Sequence, residues 1–260
     1  MLRPRIIPCL LLSNGGLVKT TEFLSPRYIG DPINTVRIFN EKEVDELIIL
    51  DIDATSQSRD PDYVLLENIA LECRMPLCYG GGIKKIEQIR KIISLGVEKV
   101  ALSSIAHSAP LLIEHAVREF GSQSIVVIID VKVNPLNGTY EVYVNNGRIS
   151  TGQSPTEFAS RMAALGAGEI VINSITLDGT MTGYDLRLAS LVKDRIGVPL
   201  TILGGAGSLE DIKKLFSECG VVGAAAGSLF VYKGSLRAVL INYPTMVQRD
   251  NLIKDTFSHR

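Results

Sequence analysis

The chain has 260 residues, of which 46% are hydrophobic and 21% are charged, and its formal net charge at pH 7 is -1. These proportions are typical of a soluble globular protein, and the length fits a single large domain. A net charge this close to zero gives no broad positive field, which argues against a protein that binds nucleic acid through its phosphate backbone.

The cysteines and the N-terminal segment exclude further classes of protein. The four cysteines are Cys9, Cys73, Cys78 and Cys219, and they show neither paired zinc-site spacing nor the density of a secreted disulfide-rich domain. We therefore expect no metal and no cofactor. The apolar run near the N-terminus is far shorter than the roughly 18 residues of a spanning helix and leads into a strand pattern. We expect no membrane contact and a cytoplasmic location.

Eight short runs rich in Ile, Val and Leu predict parallel strands that are buried on both faces. In chain order these runs are residues 5–11, 46–53, 76–81, 99–104, 124–131, 169–174, 199–205 and 221–228. Amphipathic segments such as 84–96 and 209–220 lie between them and end at glycine, as helices do. Eight strands that alternate with helices predict a closed (βα)8 barrel, the TIM-barrel fold, as one domain over residues 1–260.

One segment after the fifth predicted strand interrupts this alternation. Residues 133–150 contain Asn-Gly at 137–138 and at 146–147, and a stretch of alternating residue types lies between the two pairs. Asn-Gly is the preferred pair of a tight hairpin turn. We therefore expect a small hairpin inserted over about 133–150.

An internal repeat relates the two halves of the chain. A shift of about 120 residues places 76–89 on 199–212 and 45–52 on 168–175. The chain is thus predicted to consist of two similar half-barrels, at about 1–122 and 123–260. A site in one half should have a counterpart in the other.

Glycine and serine residues follow four of the strands in positions related by the repeat. Glycine lets backbone amides approach an anion closely, and a serine hydroxyl adds one more donor. A single glycine pair would indicate only a tight turn, but two related sets predict two phosphate sites and a ligand with a phosphate at each end. The predicted phosphate-binding residues are Gly81, Gly82, Ser103, Ser104, Gly204, Gly205, Gly227 and Ser228, with Asp178 and Gly179 as a ligand-adjacent or loop-positioning pair.

Acidic residues at strand ends are the candidates for proton transfer. Asp130 ends the fifth strand and is a predicted general acid or base, with a structural acceptor for loop amides as the alternative. Asp51 and Asp53 end the second strand and face the same way, so that either could react or orient a loop.

Four charged residues begin strands at the opposite end of the barrel. They are Arg5, Glu46, Lys99 and Glu169. Taken alone, charges at strand starts are usually just solvated.

Motifs over nearly the whole chain carry a family resemblance. They include, in order, RIIPCL, GLVKT, GDP, DELIILDI, GGGI, GSQSIVVIIDVK, GAGEI, DGTMTGYD and GGAG. Together they resemble the cyclase subunit of imidazole glycerol phosphate synthase, an enzyme of histidine biosynthesis. The resemblance implies a barrel that receives ammonia from a separate glutaminase subunit docked on its N-terminal face.

The resemblance also assigns roles to residues already singled out. It implies that Arg5, Glu46, Lys99 and Glu169 form the gate of an ammonia channel, and that Lys19 is the catalytic lysine of a mobile loop after the first strand. The chain shows no nucleophilic Cys with a paired His, its three histidines being His107, His115 and His259, so a glutaminase has to be another chain.

One departure from the family pattern concerns catalysis. The family uses two aspartates, at the ends of the first and fifth strands; the second is Asp130, but the first position holds Leu11. The loop sequence 12–14 also differs, and Ser103 and Ser104 replace an Asn-Thr pair. Sequence motifs such as RPRIIP and RIFNEKE resemble a divergent branch of this family more than its histidine-pathway members. That branch is associated with the use of glutamine-derived ammonia to build acetamidino groups on bacterial surface-polysaccharide sugars.

Three hypotheses therefore stay open. The first is an ammonia-accepting, synthase-like subunit of a glutamine amidotransferase in the surface-sugar branch, with a third, sugar-modifying enzyme as a further partner. The second is the histidine-pathway cyclase itself, acting on a substrate with two phosphates. The third is a non-catalytic conduit for ammonia.

Overall fold

The protein is described from a computed structural model, which covers residues 3–234 and 236–258; His259 lies outside the described residues. Eight parallel strands form a closed barrel, because each pairs with the next in sequence and the eighth pairs with the first. This confirms the predicted TIM barrel. The barrel strands are β1 Arg5–Ser13, β2 Leu47–Asp51, β3 Leu77–Gly80, β4 Lys99–Leu102, β5 Ile125–Val133, β6 Glu169–Ser174, β7 Leu200–Leu203 and β8 Gly223–Ala226.

Helices lie outside the barrel and follow its strands. The longer ones are Pro32–Glu41, Tyr63–Glu72, Ile86–Ser94, Leu111–Phe120, Pro155–Ala164, Leu186–Lys193, Leu209–Cys219 and Met246–Phe257, and two short ones, Ser104–Ser108 and Ser228–Val231, lie directly after β4 and β8. Their starts follow from local sequence. Asp31 accepts a hydrogen bond from the Asn34 amide and caps the first helix, which begins with proline. Ser208 and Asp211 form a reciprocal capping box at another helix start.

Two apolar layers hold the barrel together. A large cluster packs the outward faces of the strands against the helices. A smaller cluster fills the inside of the barrel with side chains such as Ile7, Ile48, Val126, Val171 and Ala225. This inner cluster separates the N-terminal end of the barrel from the C-terminal end, and each end carries its own polar groups.

Antiparallel strands extend the sheet at the C-terminal end. The first hairpin, Gly16–Thr21 with Leu24–Gly30, continues β1 and was not predicted as a hairpin. A second extension, Tyr140–Val144 with Ile149–Ser150, pairs with the last residues of β5, within the segment predicted as an insertion. A short pair, Tyr232–Lys233 with Ala238–Val239, follows β8. Among residues 3–234 and 236–258, no helix combines the length and apolar character that crossing a bilayer requires.

Candidate functional site

A cavity of about 890 Å³ opens at the C-terminal ends of the strands, and we call it the mouth cavity. Its wall includes Leu11, Lys19, Gly82, Ser104 and Asp130. Part of its rim comes from the second hairpin extension, since the Asn146 side-chain amide donates to the Ile52 carbonyl at 2.5 Å and the Asn145 amide to the Ser104 hydroxyl at 3.0 Å. Polar groups on several strand ends therefore converge on one space.

Asp130 lies in this wall, on the part of β5 that continues into the hairpin extension. Its Oδ1 accepts a hydrogen bond from Asn173 Nδ2 at 2.9 Å, and its Oδ2 accepts one from Ser103 Oγ at 3.5 Å. Burial raises the pKa of Asp130 to about 6, although these two hydrogen bonds act in the opposite direction and nearby Asp178 adds to the rise. A carboxyl group with a pKa near neutrality is suited to take up and release a proton.

Asn173 is a site residue that the sequence analysis missed. It lies on β6 directly beside Asp130 in the sheet register and is 5% exposed. Its Nδ2 holds Asp130, while its Oδ1 is buried without a hydrogen-bond partner in the described structure. The repeat does not point to it, because it sets Asn173 opposite Leu50, and its place beside Asp130 depends on the register between β5 and β6.

Leu11 contributes an apolar surface at the position where the family resemblance predicts a second aspartate. Its side chain is 9% exposed, lines the mouth cavity, and is paired in the sheet with Leu50 and Val18. No proton can be donated or accepted at this point of the wall.

The two aspartates after β2 are occupied with loop contacts. Asp51 accepts hydrogen bonds from the Asp53 and Ala54 amides at 3.0 Å and forms an ion pair with Arg59 at 2.9 Å. Asp53 accepts hydrogen bonds from Ser13 Oγ and from the Asn14 amide, both at 2.9 Å. These contacts favour the loop-orienting alternative for both residues.

The predicted anion loops of the first half border the mouth cavity. Gly81, Gly82, Ser103 and Ser104 all line it. Gly81 has a φ of 123° and Gly82 a φ of 70°, and a Cβ at Gly81 would overlap the Asp51 backbone. Glycine is therefore required here for the turn itself, and the same turn leaves these residues in the cavity wall.

The corresponding loops of the second half are covered. Gly204, Gly205, Gly227 and Ser228 are not part of the cavity wall. The Gly183 amide donates to the Gly205 carbonyl at 2.8 Å, and Ser228 Oγ is buried without a partner in the described residues. The repeat-related loops therefore differ in accessibility.

The first hairpin covers part of the second half, at Gly227 and Gly179. Lys19 is 4% exposed, and a Cβ at Gly227 would overlap its Nζ. Thr20 Oγ1 donates to Asp178 Oδ2 at 2.8 Å, and the Thr20 carbonyl lies against Gly179. Lys19 and Asp178 both line the mouth cavity, and the loop expected to be mobile is here a hairpin docked on the second half.

Four charged residues form a closed ring at the N-terminal end of the barrel, and we call it the charged ring. Arg5 is paired with Glu46 and, at 2.7 Å, with Glu169. Lys99 bridges the same carboxylates, at 2.7 Å to Glu46 and 2.9 Å to Glu169. Thr201 Oγ1 also donates to Glu169 at 2.6 Å. All four residues predicted from strand starts are therefore brought together.

Mutual pairing favours the charged forms of Glu169 and Lys99. Burial alone would raise the pKa of Glu169, but the Arg5 and Lys99 cations outweigh it and hold that pKa below its ordinary value. For Lys99, burial acts to lower the pKa, yet the two carboxylates raise it above the usual value. The ring is therefore a set of alternating charges across the bottom of the barrel, below the apolar inner cluster.

No group of His, Cys, Asp and Glu among the described residues has the arrangement of a metal site. The fold and its two ends define a (βα)8 barrel with the mouth cavity at its C-terminal end and the charged ring at its N-terminal end. The chain belongs to the histidine biosynthesis protein family, whose sequence profile matches residues 5–237.

Relatives narrow this assignment to the HisF type. A protein of Leptospira borgpetersenii, provisionally named imidazole glycerol phosphate synthase subunit HisF, is 53% identical over 97% of this chain and 99% of its own length. A protein of Vibrio vulnificus (strain YJ016), provisionally named subunit hisF3, is 51% identical over 98% of each chain. Subunit HisF of Lactococcus lactis subsp. cremoris (strain SK11) is 41% identical over 89% of this chain and 90% of its own length.

Proposed function

We propose that the chain is the ammonia-accepting, cyclase-like subunit of a glutamine amidotransferase complex, in a branch that serves acetamidino-sugar synthesis for surface polysaccharides. The observation that carries the proposal is the combination of an intact charged ring with a mouth cavity whose wall contains both Leu11 and Asp130. A chain that retains the charged ring is equipped to receive ammonia. Because it lacks one member of the acid/base pair, its reaction with that ammonia differs from the reaction of a two-aspartate cyclase.

A separate glutaminase subunit is the partner in this proposal, and it binds the N-terminal face of the barrel. The charged ring lies at that face, and the inner cluster above it contains small side chains such as Cys78, Ala101 and Ala225. Ammonia released below the ring would enter the barrel there and reach the mouth cavity, where a phosphorylated ligand binds. The numbered name of the Vibrio relative, hisF3, fits the existence of additional copies besides a histidine-pathway enzyme.

The experiment follows glutamine nitrogen into product. The chain is combined with a glutaminase encoded beside it, and either amide-labelled glutamine or labelled ammonium is supplied with candidate phosphorylated and sugar-nucleotide acceptors. We expect label in a small-molecule product from both nitrogen sources. Label that stays as free ammonia with every acceptor, and reaches product only when a third enzyme is added, would support the conduit hypothesis instead.

A second candidate function is the histidine-pathway cyclase reaction. It is favoured by the family description and by the name of the Lactococcus relative. The same assay with the two-phosphate substrate of that pathway tests it. Turnover comparable to that of a two-aspartate relative would establish the second candidate and remove the first.

A further inference from the structure

His107 lines the mouth cavity and has no role in the proposed chemistry so far. It lies on the short helix Ser104–Ser108 that follows β4, half-buried, beside the loops of the first half. The wall of the mouth cavity thus carries an imidazole as well as Ser104 and Gly82. An imidazole can donate or accept a hydrogen bond, depending on which nitrogen carries the proton.

A chain of hydrogen bonds determines which nitrogen that is. Arg161 Nη2 donates to Gln153 Oε1 at 2.7 Å, and Gln153 Nε2 lies 3.2 Å from His107 Nδ1. Arginine is only a donor, so the Gln153 carbonyl oxygen has to face Arg161 and its amide nitrogen has to face the imidazole. Because an amide nitrogen only donates, Nδ1 of His107 accepts. The proton of the neutral ring is therefore on Nε2.

The surroundings fix this arrangement. The Arg161 guanidinium lies 5.0 Å from the centre of the Phe158 ring, and the His107 ring lies 6.5 Å from the same ring. The helix Pro155–Ala164 thereby holds both ends of the hydrogen-bond chain. Within the described residues, His107 Nε2 has no hydrogen-bond partner of its own.

We propose that His107 is a ligand-binding residue, which donates a hydrogen bond from Nε2 to a phosphate oxygen held by the first-half loops. The proposal rests on the proposed function in one respect, that the mouth cavity takes a phosphorylated ligand. Lys84 also lines this side of the cavity and adds positive charge for the same anion. Gln153 and Arg161 act through His107 and are positioning residues.

The first test reads the tautomer directly by nitrogen-15 NMR at pH 8, where an ordinary imidazole is neutral. His107→Phe assigns the signals, and we expect the proton on Nε2. Gln153→Glu should move the proton to Nδ1, because a carboxylate accepts where the amide donated, whereas Gln123→Glu, which adds the same charge far from the ring, should change nothing. A proton on Nδ1 in the unmodified protein would overturn the proposal.

The second test is a titration with inorganic phosphate. We expect the His107 Nε2 signal and the Gly82 amide signal to shift together and to saturate. His107→Phe should weaken binding about tenfold, as expected for a hydrogen bond to a charged group, and the matched control His115→Phe should not. A Gly82 signal that shifts while His107 does not would refute the inference alone. If neither signal responds, the phosphate-binding part of the proposed function fails with it.

Discussion

At the scale of single residues, the burial of Asp130 acts on stability and on chemistry in opposite directions. In the unfolded chain its pKa is ordinary, near 3.8, and folding raises the pKa to about 6. The folded state thus binds more protons than the unfolded state between these values, so this residue makes the free energy of unfolding fall as the pH rises from about 4 to 6. Above that range the ionised Asp130 carboxylate lowers the free energy of unfolding by an amount that no longer changes with pH.

Asp130→Asn should therefore stabilise the protein at pH 7. A shift of this size corresponds to roughly 2–3 kcal/mol in the free energy of unfolding, and the gain should shrink when both proteins are unfolded at pH 4. Urea denaturation at the two pH values measures it. If Asp130→Asn instead lowers the stability at pH 7, the carboxylate is needed to hold Asn173 and Ser103.

Leu11 leads to a prediction about rate. One positioned acid or base typically contributes about 10²–10⁴-fold, and Asp51 and Asp53 are both held by loop contacts. We expect turnover of the histidine-pathway substrate at least about a hundredfold below that of a two-aspartate relative. Leu11→Asp should restore part of it, and Asp130→Asn should abolish the remainder. Single-turnover assays with saturating ammonium measure this without a partner, and full-rate turnover by the unmodified chain would contradict it.

At the scale of elements, the starts of four barrel strands act as one unit. Lys99 on β4 bridges carboxylates from β2 and β6, so Lys99→Met leaves Arg5 as the one cation of the charged ring. We expect this change to reduce transfer of glutamine nitrogen several-fold while free ammonium is used nearly as well, because ammonium reaches the mouth cavity from solvent. Steady-state rates with each nitrogen source provide the comparison. An equal loss with both nitrogen sources would show that the charged ring does not control the passage of ammonia.

The barrel strands could be predicted from sequence patterns, whereas the first hairpin could not. The barrel strands could be predicted because burial on both faces makes them continuous apolar runs, as in residues 125–129. The first hairpin escaped prediction for two reasons. Its outer strand Leu24–Gly30 is mostly exposed and has no apolar alternation, and its turn uses positive φ at Glu22 and Phe23 instead of an Asn-Gly pair.

The candidate site likewise contains residues that the sequence predicts and residues whose place depends on the fold. Asp130 and the first-half glycines could be placed from strand ends, because the C-terminal ends of parallel strands in a barrel meet at one face. Asn173 could not, since its role depends on the register between β5 and β6, which the sequence does not display. The docking of Lys19 beside Gly227 depends on a strand that the sequence analysis did not predict, although the tight turn that leads into it from β1 is an Asn-Gly pair at residues 14–15.

At the scale of the whole molecule, the two half-barrels present their predicted anion loops on one face. We expect crystals grown in sulfate to show an anion at Gly82 and Ser104, with a second at Gly205 and Ser228 of lower occupancy, because Lys19 of the first hairpin lies against the adjoining Gly227. Anomalous scattering from selenate in place of sulfate locates both. Well-ordered loops that stay empty at high anion concentration would count against the two-site prediction.

The cover over the second half imposes an order of events on any ligand with two anionic ends. One end can bind in an encounter whose rate depends on concentration, but the other has to wait for the hairpin to leave Asp178, a step that concentration does not accelerate. The observed binding rate should therefore rise with ligand concentration and then level off at the hairpin's own opening rate. In stopped-flow measurements Thr20→Val should raise this plateau, since the hydroxyl that ties the hairpin to Asp178 is gone. A rate that stays linear in concentration would mean that both halves are open from the start.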